Sequence, residues 1–233
     1  QRHPTTQKQQ KRSIMQISDL FDAHRRDEAV RELPDEDLLV AAAILVQNAP
    51  PDSMQRSWRA MDLSWYAVHA SSEHTVRALV RLGAKHIPES VFVEQYARVT
   101  GCPERYYDPY SRQDRIAERL AYIETTKYGR AFLTEAANTA AESFLDGTRV
   151  GKVSFLHRLV AYLSDIERLL ELLQHERFTD QEAAVRRLVA LGASDVVEAL
   201  ASADPHGALG LNPEASLYWT SRAAAKVLAE QRP

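Results

Sequence analysis

From Ser18 onward, apolar residues recur at three- and four-residue intervals in nearly every segment, a periodicity that helices satisfy and strands do not. "SDLFDAHRRDEAVREL" offers Ser18 or Asp19 as a cap, followed by Leu20, Phe21, Ala23, Val30 and Leu33. "PDEDLLVAAAILVQNAP" carries Asp35, Glu36 and Asp37 in its first turn, where they complement the helix dipole, and Pro50 and Pro51 stop it. The same spacing predicts helices over 53–61, 63–72, 73–82, 88–99, 112–124, 130–146, 152–163, 165–175, 180–191, 194–202 and 214–230. "SVFVEQY" alternates briefly, but no Asn-Gly or Asp-Gly turn separates two alternating runs. Asp146–Gly147 follows a helix and reads as its C-terminal stop. An all-α fold is expected.

Connections are short, as antiparallel helical neighbours require. The exceptions are "TGCPERYYDPYSR" (Thr100–Arg112) and "ADPHGALGLNPEAS" (Ala203–Ser216). A single helical domain over 13–233 is expected, with the 100–112 loop as the place for an internal boundary. Within it, "VRALVRLGA" (Val76–Ala84) returns as "VRRLVALGA" (Val185–Ala193), identical at seven of nine positions. Val76, Leu79 and Val80 share a helical face with Gly83, as Val185, Leu188 and Val189 do with Gly192. Glycine tolerates the left-handed conformation that ends a helix, so both glycines are expected to act as stops. Leu63, Tyr66, Ala67 and Ala70 form a second face upstream, and 62–84 reads as two short antiparallel helices around the turn "HASSEH".

This unit resembles an ankyrin repeat. Ala67 stands sixteen positions before Gly83, as the small inner-helix residue of that family does, and Val76, Leu79 and Val80 match its outer helix. Ser154, Phe155, Leu156 and His157 resemble the family's Thr-Pro-Leu-His signature, with Ile166, Leu169, Leu170 and Leu173 as the helix that follows. Asp62, Leu63, Ser64 and Trp65 depart from that signature in the first unit, and the two copies lie 109 residues apart. The resemblance implies an array of antiparallel helical hairpins, ankyrin-like or another α-solenoid or bundle. It further implies a turn role for His157 and a face that binds another protein.

The chain has 233 residues, 45% hydrophobic and 26% charged, with a net charge of −3, an ordinary profile for a globular domain with a real core. A near-neutral charge disfavours phosphate-driven nucleic-acid binding. Cys102 is the sole cysteine, which excludes an internal disulfide and fits a cytoplasmic, reducing compartment. The longest apolar run, Leu38–Val46, falls short of the roughly 20 residues that span a bilayer, so no membrane partner is expected. Residues 1–12 carry Arg2, Lys8, Lys11 and Arg12 without an acid or a large apolar group, and are expected to form a disordered basic tail. A first residue of Gln rather than Met leaves a further reading open: the helical part of a larger secreted or host-directed protein, acting inside a host cell.

Little in the chain points to a reaction. "DGTRVGKVS" (Asp146–Ser154) lacks the spacing of a phosphate loop and follows a helix where that motif needs a strand. His69 and His74, five apart, would sit about 140° apart on a helix, so no metal site is expected, and no cofactor either. Cys102 with His157 or His69 would make an all-α Cys–His enzyme if the fold brought thiol and imidazole together. Glu167, Glu171 and Glu176 read as a solvated face. The richest surface is 104–130, where Tyr106, Tyr107 and Tyr110 alternate with Arg112 and Arg115, a mixture favoured at protein interfaces. Trp58, Trp65 and Trp219 are expected in the core. The function expected is therefore a protein-binding helical-repeat scaffold, with the Cys102/His157 enzyme as the alternative.

Overall fold

The acidic first turns and glycine stops of the sequence become helix ends in the computed structural model, which describes residues 15–47, 53–107, 115–147, 153–175, 177–203 and 216–231. The helices are α1 (Arg26–Glu32), α2 (Asp35–Gln47), α3 (Ser53–His69), α4 (Glu73–Ala84), α5 (Glu89–Val99) and α6 (Ile116–Glu124). They continue as α7 (Gly129–Leu145), α8 (Val153–Leu159), α9 (Ile166–Gln174), α10 (Gln181–Ala190), α11 (Ser194–Ser202) and α12 (Ser216–Gln231). Single 3-10 turns span Ile17–Phe21, Glu104–Tyr107 and Val160–Tyr162, and no strand occurs among the described residues. The protein is all-α. No helix among the described residues is long and apolar enough to cross a membrane. The basic segment 1–12 lies outside the described residues.

Local chemistry explains most boundaries. Ser72 caps α4 by accepting from the Thr75 N–H, Asp165 caps α9 by accepting from Glu167 and Arg168, and Asp180 caps α10 through Ala183. The turn between α3 and α4 is tied to α2: Asp35 accepts from the Ser71 N–H at 2.8 Å and from the hydroxyls of Ser71 and Ser72 at 2.9 and 3.1 Å. Burial alone would raise the Asp35 pKa, but these donors together with Thr75 hold it below its ordinary value. Two expected boundaries moved. The helices expected over 53–61 and 63–72 are one, Ser53–His69, because Ala60, Leu63, Tyr66 and Ala67 form one unbroken buried stripe with no glycine or proline to interrupt it. The segment from Ser18 is split, since Asp22 is extended and the chain re-enters helix only at Arg26, and its first turn is capped at Gln16 rather than at Ser18 or Asp19.

The two copies of the repeat use their glycines differently. Gly192 is a stop with φ +82°: its N–H reaches the Val189 carbonyl and the Ala193 N–H reaches Leu188, closing the turn after α10. Gly83 instead lies inside α4, and a Cβ there would stand 2.8 Å from the Phe92 ring and 3.0 Å from Leu63. It is a packing glycine, which corrects its expected role. Gly192→Ala is therefore expected to cost about 1 kcal/mol through backbone strain alone. Gly83→Ala should cost about 2 kcal/mol through crowding of a fully buried ring, even after its gain in helix propensity. Urea midpoints of both variants check the order; a more stable Gly83→Ala protein would contradict the packing role.

Most helices pack against a chain neighbour and against one or two helices further on. In the first half α1, α3 and α5 are successive neighbours, as are α2, α4 and α7. In the second half α12 covers α9, α10 and α11. The link is α7, which touches α4, α5, α6, α8 and α9. Its five buried alanines, Ala131, Ala136, Ala137, Ala140 and Ala141, let these partners approach closely, while Phe132 stacks on Tyr96 at 3.8 Å and meets Phe92 edge-on at 5.3 Å. Buried apolar side chains from Leu20 to Val227 join in one cluster. The tryptophans correct an expectation: Trp65 is half-buried, but Trp58 and Trp219 are 65% and 53% exposed.

Candidate functional site

The Schellman turn ending α5 governs the first candidate region. Gly101 takes φ +84°, the Cys102 N–H bonds the Ala97 carbonyl, and Cys102 turns inward into the apolar position that follows such a stop. Burial raises the pKa of its thiol above the ordinary value, only partly offset by Tyr107 and Arg119. A raised thiol is a poor nucleophile near neutral pH. His157 lies within α8 rather than in a turn, its ring edge-on to Phe178 at 5.4 Å and its Nε2 buried without a hydrogen-bond partner. Tyr107 and Arg119 surround the thiol, and no hydrogen bond joins it to an imidazole among the described residues. His69 packs edge-on to Trp65 at 4.9 Å, and His74 is exposed.

The tyrosine–arginine stretch is partly visible. Tyr107 is half-buried, its ring held between the guanidinium groups of Arg98 at 4.2 Å and Arg119 at 5.1 Å. Its hydroxyl is buried beside Cys102, and burial pushes its pKa well above the ordinary tyrosine value. Tyr107 thus anchors the 3-10 turn onto α5 and α6. Arg115 pairs with Glu118 at 3.1 Å. Tyr110 and Arg112 lie outside the described residues, as does the side chain of Tyr106.

Two constellations escaped sequence reasoning. The first is internal. Glu135, in the middle of α7, is 3% exposed at its side chain, and Arg81 of α4 answers it with Nε at 2.8 Å and Nη2 at 2.7 Å. Arg77, one turn earlier on α4, stands 3.8 Å away from the other oxygen. One turn or two further along α7, Arg168 of α9 donates to the Asn138 carbonyl at 3.3 Å and pairs with Glu142 at 2.9 Å. A fork of arginines therefore clamps the central helix to α4 and α9. Every acid in it has a basic partner, so it holds the fold and leaves no open valence for a substrate.

The second is on the surface, at the start of α12. Thr220, Ala224 and Val227 form the buried stripe of that helix, so Tyr218, Trp219 and Arg222 face outward. The two rings meet edge-on at 5.3 Å, and the Arg222 guanidinium lies 5.5 and 5.7 Å from their centroids while donating to the Tyr218 hydroxyl at 3.0 Å. Neighbouring cations are answered locally: Arg186 pairs with Glu182 at 2.7 Å and with Glu230 at 2.5 Å, and Lys226 pairs with Glu182 at 2.7 Å. These pairs lower the Glu182 pKa, chiefly through its bonds to Lys226 and Arg186. Arg222 has no carboxylate partner among the described residues. The i, i+4 spacing of Tyr218 and Arg222 was available in the sequence, but nothing there shows which face of α12 the core takes.

The chain matches no protein-family model, no curated protein and no solved structure.

Proposed function

We propose that this protein is an interaction module: an array of helical hairpins, ankyrin-like or of another solenoid kind, that binds a second protein along one face. The succession of packed neighbours, α1–α3–α5 and α2–α4–α7, supports a stacked array, in which each hairpin buries its apolar face on the next. The reading rests on one observation above the others, the exposed Tyr218–Trp219–Arg222 cluster. Leaving a tryptophan and a tyrosine largely in water forgoes roughly 25 cal/mol per Å² of apolar surface, and aromatic–arginine clusters are the usual anchors of binding interfaces. The ring contacts and the Arg222–Tyr218 hydrogen bond hold the cluster in one arrangement before any partner arrives, which lowers the ordering cost of association. The Tyr106, Tyr107, Tyr110, Arg112 and Arg115 stretch is proposed as a second contributor to the same activity.

The test compares the intact chain with its Trp219→Ala variant as bait, followed by calorimetry on each purified candidate. A partner should bind the wild-type chain and lose about tenfold or more in affinity against the variant, the usual cost of an aromatic anchor. Equal affinity for both proteins would remove the cluster from the interface and this reading with it.

A further inference from the structure

Resting on that reading, we infer that the partner segment seated on α12 is a short peptide stretch that presents a carboxylate beside an apolar side chain, with a basic residue further along. The Arg222 guanidinium has five N–H donors in a planar fork, of which Nη1 is directed to the Tyr218 hydroxyl. The remaining edge has no carboxylate among the described residues, in a helix whose other cation, Lys226, is already neutralised by Glu182. A partner carboxylate can take that edge in the two-point geometry arginine favours, while an apolar neighbour covers the exposed faces of Tyr218 and Trp219.

The surface beyond the cluster supplies the direction. One and two turns past Arg222 on the same face, Ala225 and Ala229 floor a groove of about 690 Å³ between α11 and α12, with Ala201, Ser202, Leu228, Glu198 and Gln231 completing it. The Ser221 hydroxyl donates to the Ala201 carbonyl at 3.4 Å, which ties α11 to α12 there. Arg222 lies outside the lining of this groove, and Glu198, one turn before Ala201, lies within it. It has no basic partner among the described residues. Small side chains in the lining admit a backbone closely, and a cation before the groove with an acid inside it favours a peptide that runs from acidic to basic. A segment of reversed order would meet like charge at both points.

A random twelve-residue phage-displayed library, selected on the immobilised full chain and counter-selected on Arg222→Ala, tests this. Enriched sequences should carry Asp or Glu next to an apolar residue, with Lys or Arg further on. Synthetic copies should bind the wild-type chain at least tenfold more tightly than Arg222→Ala or Trp219→Ala, with Arg222→Lys between. Swapping the acidic and basic residues of a copy should cost a similar factor. Circular dichroism of each variant confirms that the fold is intact. Peptides that lack a carboxylate, or that bind Arg222→Ala equally, overturn the inference and leave the protein-binding reading standing. A dimer in sedimentation that Trp219→Ala dissociates also overturns it, because a second copy of the chain then covers the face. If no peptide is enriched and no partner is captured, the protein-binding reading falls as well.

Discussion

Gly129→Ala is expected to remove about 3 kcal/mol or more of stability, a large part of the 5–15 kcal/mol typical of a folded domain. A Cβ at this position would lie 1.6 Å from the Ile123 carbonyl oxygen, 2.6 Å from its carbon and 2.5 Å from the Thr126 hydroxyl. The first two are backbone atoms, so no rotamer change can relieve the clash. The carbonyl cannot swing away cheaply, since it already accepts from the Thr126 N–H at 2.9 Å and the Thr126 hydroxyl at 2.7 Å. Gly129 opens α7, so the displacement would pass to the five helices that pack on it. The expected reading is a fall of roughly 10 °C in Tm, with a matching drop in the urea midpoint. A midpoint within experimental error of wild type would show that the α6–α7 turn is not held as described.

The second large effect concerns the clamp on α7. Removing Arg77 and Arg81 together would leave the Glu135 carboxylate buried without a cation, a change expected to cost about 3 kcal/mol. The arginines themselves are 38% and 63% exposed, so their own loss costs little, and the penalty lies in the stranded acid. Adding Glu135→Leu to the Arg77→Ala/Arg81→Ala protein should therefore recover most of the lost stability, because an apolar side chain suits a site only 3% exposed. Denaturant titrations of the double and triple variants decide it. A triple variant no more stable than the double would mean that the arginines stabilise α4 by packing alone.

Much of the fold was legible because helical rules act over a few residues. The caps Ser72, Asp165 and Asp180, the stops Gly147 and Gly192, and the 3.6-residue stripes of α4, α9 and α10 are all local, and they place most helices within a few residues of expectation. Gly83 shows where local reading fails. Its nine-residue neighbourhood nearly duplicates that of Gly192, yet one glycine turns the chain and the other makes room for Phe92. The difference comes from α5, which crosses α3 and α4 at Gly83, while nothing lies within 4 Å of a Cβ at Gly192.

The candidate site was legible only in its ingredients. The sequence points to aromatic and arginine side chains as anchors, but Tyr107 is held between Arg98 and Arg119, whereas Tyr218 and Trp219 are about half exposed. Which face turns inward depends on the helices that arrive from elsewhere in the chain. The pairing of Glu135 with Arg81, 54 residues apart, is of the same kind.

By itself the sequence determined the helical class and most helix ends, and a chain with a single cysteine and little net charge, because these follow from composition and from interactions within a turn or two. The tertiary structure alone decided that α7 is the hub, that Gly83 and Gly129 are sites of close approach, and that Trp219 is left exposed beside an Arg222 without a carboxylate among the described residues. Burial is a property of what packs against a residue, and the partners of α4, α7 and α12 lie dozens of positions away along the chain.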